Sequence, residues 1–163
     1  MKLITLTSTI EEYSNQAELS EADQNLIVRA REAGRNAYAP YSAFHVGAAL
    51  MLEDGTIHIG SNQENVAYPS GLCAERVALF HAGALHPELA VITIAVTCSS
   101  KQFRVDSPLA PCGACRQVMA ETERRYGKPI RVLLAGETGA VYVIASVKDL
   151  LPLSFVADEL KAK

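Results

Sequence analysis

Two cysteines spaced three positions apart are the residues whose chemistry is easiest to foresee in this sequence. Cys112 and Cys115 lie in the stretch PCGAC, and their spacing suits either a redox-active dithiol or two thiolate ligands of one metal ion. Zinc needs three or four ligands, and Cys73 is the best third candidate because it also lies where a helix is predicted to begin. The partial positive charge of a helix N-terminus lowers the pKa of a thiol and favours the thiolate.

Glu75 and two arginines complete this candidate site. Glu75 follows Cys73 by two positions, and residues so spaced on a helix do not share a face, so Glu75 is a poor co-ligand. It can instead reach a water molecule at an open fourth position, where a carboxylate can shuttle protons. Arg76 and Arg116 each adjoin a ligand, and we expect them to offset the negative charge of three thiolates around a divalent ion.

Hydrophobic spacing and turn signals predict the elements that must position these residues. We predict long helices at 21–38, 73–85 and 113–126, strands at 44–52, 56–61, 89–98, 130–135 and 140–146, and short helices at 147–151 and 157–161. Strands separated by helices indicate an α/β fold, a three-layer α/β/α arrangement around a mixed sheet of about five strands. Residues 1–163 are predicted to form a single domain, with 1–19 as an N-terminal arm or strand. The charged end of the third long helix, which includes Glu121, Glu123, Arg124 and Arg125, is predicted to face solvent.

The composition of the 163-residue chain argues against several classes of protein. Hydrophobic residues make up 49% and charged residues 20%, which is enough apolar material for a full core. A net charge of −3 argues against nucleic acid as a partner, since binding to phosphates usually needs a basic face. The N-terminal sequence lacks the pattern of a secretory signal, and no apolar run is long enough to span a bilayer. We therefore expect no membrane partner and a cytoplasmic location, where thiols stay reduced.

Simpler explanations compete with the zinc site. A redox pair of Cys112 and Cys115 would leave Cys73 and Glu75 without a role. Cys98 could complete a closed four-cysteine structural site, but strand alternation places it among core residues, which favours a buried structural role. The four histidines are not adjacent to a cysteine motif and are predicted to be ordinary surface or strand residues: His45, His58, His81 and His86.

Four stretches of the chain carry a family resemblance. They are YAPYSAFHVGAAL at 38–50, GSNQENVAYPSGLCAER at 60–76, which ends in CAER at 73–76, PCGACRQ at 111–117 and LLPLSF at 150–155. In content and order they resemble the cytidine deaminases, and the similarity covers about residues 20 to 160. The chain departs from that pattern after Phe155, where the family often has Gly-Pro and this sequence has Val156-Ala157.

The resemblance implies hydrolytic deamination of cytidine and 2′-deoxycytidine to the uridine forms with release of ammonia, as in pyrimidine salvage. It implies that one Zn²⁺ per chain is held by Cys73, Cys112 and Cys115. It also implies that Glu75 moves protons from the attacking water to N3 of the pyrimidine and to the departing amine. Two alternatives remain open: a deaminase of a related aminopyrimidine nucleoside or antibiotic, and a non-catalytic structural zinc module.

The same resemblance implies contacts to a nucleoside substrate. Asn62 and Glu64 would form hydrogen bonds with the ribose 3′-hydroxyl, and Phe44 would pack against the pyrimidine ring. The Ala74 backbone and the carbonyl region near Pro111 would orient the base. By sequence position alone, Asn62 is equally a turn former and Glu64 equally a solvated loop acid, whereas the spacing favours a core position for Phe44.

Tyr68 and Phe155 are implied to act between subunits. They resemble residues that reach a neighbouring subunit's site, because the three-cysteine branch of the family is homotetrameric. Spacing alone would place Phe155 in the core. The expected partners are therefore a small nucleoside and further copies of this chain, in a homo-oligomer that we expect to be a tetramer.

Overall fold

The computed structural model describes residues 1–157 and residue 160. Its six strands are β1 Glu11–Tyr13, β2 Phe44–Leu52, β3 Ile57–Ser61, β4 Val91–Ser100, β5 Arg131–Ala135 and β6 Val141–Ile144. They form one sheet in the order β1-β6-β5-β4-β2-β3, with only β4 and β5 parallel. The sheet is therefore mixed, as predicted. The strand beyond the predicted five is β1, which lies in the segment predicted as an arm or strand.

Three α-helices cover the two faces of the sheet and confirm the predicted three-layer α/β/α arrangement. They are α1 Glu21–Gly34, α2 Ala74–Leu85 and α3 Gly113–Tyr126. Helix α1 packs on one face, where Leu26 and Ile27 share a buried cluster with Leu133 of β5. Helices α2 and α3 pack on the other face, where Leu79 and Met119 belong to a larger core.

A glycine in β3 lets α2 approach the sheet closely. A Cβ on Gly60 would lie 2.5 Å from the Ala78 nitrogen and 2.6 Å from the Ala74 carbonyl oxygen, which is closer than packed, non-bonded atoms allow. The first turn of α2 therefore rests directly on β3. This contact positions the start of the helix, where Cys73 and Glu75 lie.

The first helix is shorter than predicted. It ends at Gly34 and not at residue 38. The Tyr38 amide instead donates to the Asn62 carbonyl at 3.0 Å, and the Glu64 amide donates to the Tyr38 carbonyl at 2.8 Å. These bonds join Tyr38 to a loop distant in sequence. Helical spacing reflects only local sequence, so it extends the predicted helix to residue 38 although Tyr38 bonds elsewhere.

The charged end of α3 is only partly a solvated face. Glu123 is 6% exposed, and its carboxylate accepts hydrogen bonds from the Ile130 amide (2.9 Å), the Val147 amide (3.0 Å) and the Ser146 hydroxyl (2.7 Å). The prediction that Glu123 faces solvent is therefore wrong. Its carboxylate joins α3 to the residue before β5 and to the start of a 3-10 helix, Val147–Asp149.

The short C-terminal elements differ from the prediction as well. Residues 147–151, predicted as a helix, form only the 3-10 helix Val147–Asp149. The predicted helix at 157–161 lies mostly outside the described residues. Within the described chain, no helix has the length and apolar character needed to cross a membrane.

Candidate active site

The three cysteines predicted as metal ligands meet at the N-terminal ends of α2 and α3. Cys73 and Cys112 are the N-cap residues of the two helices, and Cys115 lies in the first turn of α3. The Cys73 and Cys112 sulfurs are 3.8 Å apart, and the Cys112 and Cys115 sulfurs are 3.5 Å apart. All three sulfurs lie within 4.8 Å of one another. Neither N-cap thiol is used to cap a backbone amide of its own helix, so both are available to a metal ion.

This cysteine cluster fits one zinc ion. Tetrahedral zinc with Zn–S bonds of about 2.3 Å places sulfur ligands about 3.8 Å apart, close to the separations in the cluster. Three protein ligands leave the fourth position open, as in catalytic zinc sites. Cys98 lies outside the cluster and is 4% exposed in β4, where burial raises the pKa of its thiol to about 11. The prediction of a buried Cys98 is confirmed. In the described part of the chain, no histidine joins the cluster.

The surroundings of Cys73 favour its thiolate form. A hydrogen bond with Cys115, reinforced by Arg76, lowers the pKa of Cys73 to about 5, and the same bond raises the pKa of Cys115. The Arg76 guanidinium lies 3.9 Å from the Cys73 sulfur and donates to the Gly71 carbonyl at 3.4 Å. Arg76 is therefore placed where a cation offsets thiolate charge.

Arg116 is engaged with backbone carbonyl groups. Its guanidinium donates to the Pro111 carbonyl at 2.8 Å and to the Leu150 carbonyl at 3.0 Å. These bonds join the segment before α3 to the chain that follows the 3-10 helix. The bond to the Pro111 carbonyl restrains the backbone immediately before Cys112.

Glu75 is a buried acid beside the cysteine cluster. It is 3% exposed, and its Oε2 atom is buried without a hydrogen-bond partner among the described residues. Burial raises the pKa of Glu75, and the nearby Cys73 charge raises it further. A buried polar atom without a partner is costly unless a ligand or water supplies one. The Glu75 carboxyl is therefore suited to hold or release a proton at this position.

A cavity of about 840 Å³ opens over the cysteine cluster. Cys73, Glu75 and Cys112 are among the residues that line it, together with parts of the segment before β2 and its start, the loops 62–65 and 68–72, and residues just before α3. Cavities of this size with a few polar groups among apolar ones bind small molecules.

Asn62 faces the cavity and also secures the start of β2. Its Oδ1 atom accepts a hydrogen bond from the Val46 amide at 2.7 Å, and its Nδ2 atom donates to the Phe44 carbonyl at 2.9 Å. The side chain thus holds the backbone of Phe44, which lines the same cavity. Asn62 is therefore more than a turn former.

Glu64 lines the cavity and organises a second part of its wall. Its carboxylate accepts hydrogen bonds from the amides of Tyr41 (2.8 Å) and Ser42 (3.3 Å) and from the Ser42 hydroxyl. The Ser42 hydroxyl bond lowers the pKa of Glu64. The sequence patterns did not single out Tyr41 or Ser42 as site residues, although both lie in the stretch YAPYSAF that carried the family resemblance.

The other predicted contact residues take different places. Phe44 and Tyr68 line the cavity, and Tyr68 is 78% exposed. Ala74 is fully buried at the first position of α2. Phe155 is 70% exposed and lines a separate pocket beside α3, where its backbone exchanges hydrogen bonds with the Gln117 side chain. Within one chain, Phe155 therefore does not reach the cavity of the cysteine cluster.

A protein-family model covers the elements that build this site. The model of the cytidine and deoxycytidylate deaminase zinc-binding region matches residues 20–126, a span that contains Glu75 and the cysteine cluster. The chain belongs to the cytidine and deoxycytidylate deaminase family. The family resemblance seen in the sequence motifs is thereby confirmed.

Individual members of this deaminase family match most of the chain. A cytidine deaminase of Halalkalibacterium halodurans is 42% identical over 84% of this chain and 96% of its own length. One from Mycobacterium tuberculosis is 36% identical over 87% of this chain and 96% of its own length. The crystal structure of cytidine deaminase from Burkholderia pseudomallei is similar with a TM-score of 0.69 and 44% identity, over 84% of this chain and 100% of that one. The α/β fold described above is therefore the deaminase fold.

Proposed function

We propose that this protein catalyses the zinc-dependent hydrolytic deamination of cytidine and 2′-deoxycytidine, which yields the uridine forms and ammonia and would serve pyrimidine salvage. One observation carries the proposal. A buried Glu75 oxygen that has no hydrogen-bond partner in the described part of the chain lies beside three sulfurs that fit a zinc ion with an open position. Family membership and the cytidine deaminases among the relatives support the choice of substrate.

Proton transfer by Glu75 is the central step that the chain itself would perform. Zinc held by Cys73, Cys112 and Cys115 would supply a Lewis acid that lowers the pKa of water. Glu75, whose pKa is raised by burial, accepts a proton from the attacking water and delivers it to N3 of the pyrimidine. Protonation at N3 makes C4 electrophilic. Glu75 then takes the remaining proton of the added water from the new C4 hydroxyl and passes it to the amine, which leaves as ammonia when the C4–N bond breaks.

The cavity walls provide contacts that would hold the nucleoside. The Glu64 carboxylate can accept a hydrogen bond from the ribose 3′-hydroxyl, and the Asn62 amide keeps a second N–H for the same group. The Phe44 ring can pack against the pyrimidine. The Ala74 backbone and the carbonyl region near Pro111 would orient the base.

We further propose a homotetramer in which Tyr68 and Phe155 reach the site of a neighbouring subunit. Their side chains are largely exposed in a single chain, and Leu153, two residues before Phe155, is 82% exposed. Clustered exposed apolar groups mark protein interfaces. The distance of Phe155 from the cavity of its own chain is consistent with a role in another subunit.

A cytoplasmic location and a small-molecule substrate complete the proposal. The three ligand cysteines are free thiols, and zinc binding needs them reduced, as they are kept in the cytosol. The proposed partners are a nucleoside and other copies of the chain, without nucleic acid or membrane.

Loss of the ultraviolet absorption band of cytidine during incubation with the zinc-loaded protein tests the proposal. We expect one ammonia for each cytidine consumed, and turnover of 2′-deoxycytidine as well. The matched control is the Glu75→Gln variant at the same zinc content. A protein that binds one zinc per chain but turns over no aminopyrimidine would indicate a structural zinc module. Turnover of a different aminopyrimidine alone would indicate a related deaminase.

A further inference from the structure

Two stacked phenylalanines stand at the wall of the cavity, and we call them the aromatic pair. Phe44, the first residue of β2, lines the cavity, and its ring stacks on that of Phe103 with centroids 6.1 Å apart and planes 21° apart. Phe103 lies in the loop between β4 and α3 and is 57% exposed. The zinc cluster and the proposed nucleoside contacts give Phe103 no role.

The Glu137 carboxylate holds the segment that carries Phe103. Its Oε1 atom accepts hydrogen bonds from the amides of both Ser100 (3.1 Å) and Val105 (3.4 Å). One oxygen thus closes the chain into a small loop with Phe103 near the middle. The Glu137 amide also donates to the Val105 carbonyl at 2.7 Å. Val105 therefore both donates a hydrogen bond to Glu137 and accepts one from it.

Close packing at Gly136 fixes the same loop. A Cβ on Gly136 would lie 2.6 Å from the carbonyl oxygens of Val105 and Ser107, so only glycine allows the loop to lie here. The Gly136 carbonyl in turn accepts a hydrogen bond from the Thr97 hydroxyl at 3.0 Å. Packing and hydrogen bonds together restrict movement of Phe103 away from Phe44.

We propose that Phe103 is a positioning residue that orients the Phe44 ring for contact with the pyrimidine, and that Glu137 holds Phe103 in place. The inference rests on the proposed function, because it takes Phe44 as the wall against which the base packs. A ring that is already oriented does not have to be ordered when the nucleoside binds. The effect should therefore appear in KM and much less in kcat.

Steady-state kinetics of matched variants test the aromatic pair. Phe103→Ala should raise KM for cytidine about three- to tenfold, the range expected for one aromatic pair, with kcat within about twofold of wild type. Phe103→Tyr keeps the ring and should restore KM. Glu137→Ala should raise KM as Phe103→Ala does, whereas Glu137→Gln keeps an oxygen that can accept both amides and should raise it less.

A double-mutant cycle asks whether Phe103 acts through Phe44. If it does, Phe103→Ala should raise KM no further when it is added to Phe44→Ala. Equal effects in the two backgrounds would mean that Phe103 contacts the nucleoside or a neighbouring subunit itself, and this result would overturn the inference. An unchanged KM in the single Phe103→Ala variant would overturn it too.

A measurement independent of catalysis separates this inference from the proposed function. Protein labelled with 4-fluorophenylalanine has four fluorine sites, because the chain contains four phenylalanines. Phe103→Ala should shift the ¹⁹F NMR signal of Phe44 and leave that of Phe80 in place, and Phe103→Tyr should leave both in place. An unmoved Phe44 signal in Phe103→Ala would overturn the inference whether or not the wild-type protein deaminates cytidine. A shifted signal in a protein without turnover would count against the proposed function alone.

Discussion

At the scale of single residues, the proposed chemistry depends on one carboxyl group. Glu75 is buried, its pKa is raised by that burial, and one of its oxygens has no partner among the described residues. A general acid/base works best when its pKa approaches the working pH. Burial moves the pKa of Glu75 in that direction, and its oxygen without a partner among the described residues can form a hydrogen bond with a water molecule or a substrate atom.

Replacement of Glu75 by glutamine should abolish most turnover while keeping the fold and the zinc. Glutamine has nearly the same shape and can form hydrogen bonds, but it cannot carry a proton. We expect kcat to fall by about 10²- to 10⁴-fold, or more because one group serves several transfers. The ultraviolet assay with metal analysis of the same samples measures both effects. Turnover within about tenfold of wild type would remove Glu75 from the mechanism.

Metal analysis of four alanine variants tests the cysteine cluster. Cys98→Ala should keep one zinc per chain, because Cys98 lies in the core away from the cluster. Cys73→Ala, Cys112→Ala and Cys115→Ala should each lose most of the bound zinc, since a site with three protein ligands has none to spare. A loss of zinc in all four variants would support a closed four-cysteine site instead.

At the scale of secondary-structure elements, a buried carboxylate joins three segments. Glu123 accepts hydrogen bonds from two amides and one hydroxyl outside α3. Buried donors that lose their acceptor carry the full cost of desolvation. Glu123 therefore contributes to the contact of α3 with the sheet, and with it to the support of Cys115 in the first turn.

Glu123→Ala should lower the free energy of unfolding by about 2–4 kcal/mol, because it leaves buried donors without an acceptor. Glu123→Gln is the matched control. Its oxygen can accept hydrogen bonds from both amides, and its NH₂ group can donate to the Ser146 oxygen. The free energy of unfolding should therefore fall less in Glu123→Gln than in Glu123→Ala. Denaturant unfolding at a fixed protein concentration measures the difference. Equal losses in both variants would indicate that side-chain volume matters and hydrogen bonding does not.

The contact between β3 and α2 contains a buried histidine. His58 is 8% exposed, and its ring lies 5.1 Å from the rings of both His81 and His86. Burial, together with those two histidines, lowers the pKa of His58, and Asp54 in the preceding turn opposes the shift. Below about pH 6.5 the His58 side chain binds a proton more readily in the unfolded chain than in the folded chain. Stability should therefore fall as the pH drops through that value.

Replacement of His58 by leucine should reduce this pH dependence. We expect the free energy of unfolding to fall less between pH 8 and pH 5.5 in His58→Leu than in wild type, because one proton uptake on unfolding is removed. Denaturant unfolding at the two pH values gives the comparison. Protonation of the zinc ligands affects both proteins alike, so the difference between them isolates His58. Identical losses in the two proteins would contradict the prediction.

At the scale of the whole molecule, activity should depend on assembly. If Phe155 completes the site of a neighbouring subunit, sedimentation and specific activity should fall together on dilution. Phe155→Ala should lower activity without loss of zinc, whereas Phe80→Ala, which removes a 51%-exposed ring of α2, should not. Full activity in a species of 17.5 kDa would contradict a shared site.

Subunit mixing gives a second test of the same prediction. A Glu75→Gln subunit lacks the proton carrier but can lend its Phe155 to a neighbour, and a Phe155→Ala subunit has the converse defect. Mixed oligomers of the two should be more active than either variant alone. The absence of recovery in proven mixed oligomers would return Phe155 to a role within its own chain.

The sequence alone predicted which three cysteines meet in one cluster, that Glu75 follows the first of them, and the α/β architecture, because the patterns behind these predictions are local. Ligand spacing, helix starts and hydrophobic periodicity are properties of short segments. They place Cys73 and Cys112 at the starts of two helices before any packing is known. The family motifs then add the proposed substrate contacts, which spacing alone could not distinguish from turn or core residues.

Only the tertiary structure decided which polar side chains are buried and what they contact. Glu123 has the sequence context of a solvated helix end, yet its hydrogen-bond donors come from other segments. The partners of Arg116, the strand-like pairing of Tyr38 and the stacking of Phe103 on Phe44 likewise join residues far apart in the chain. Contacts of this kind arise from the packing of whole elements, so no local pattern records them.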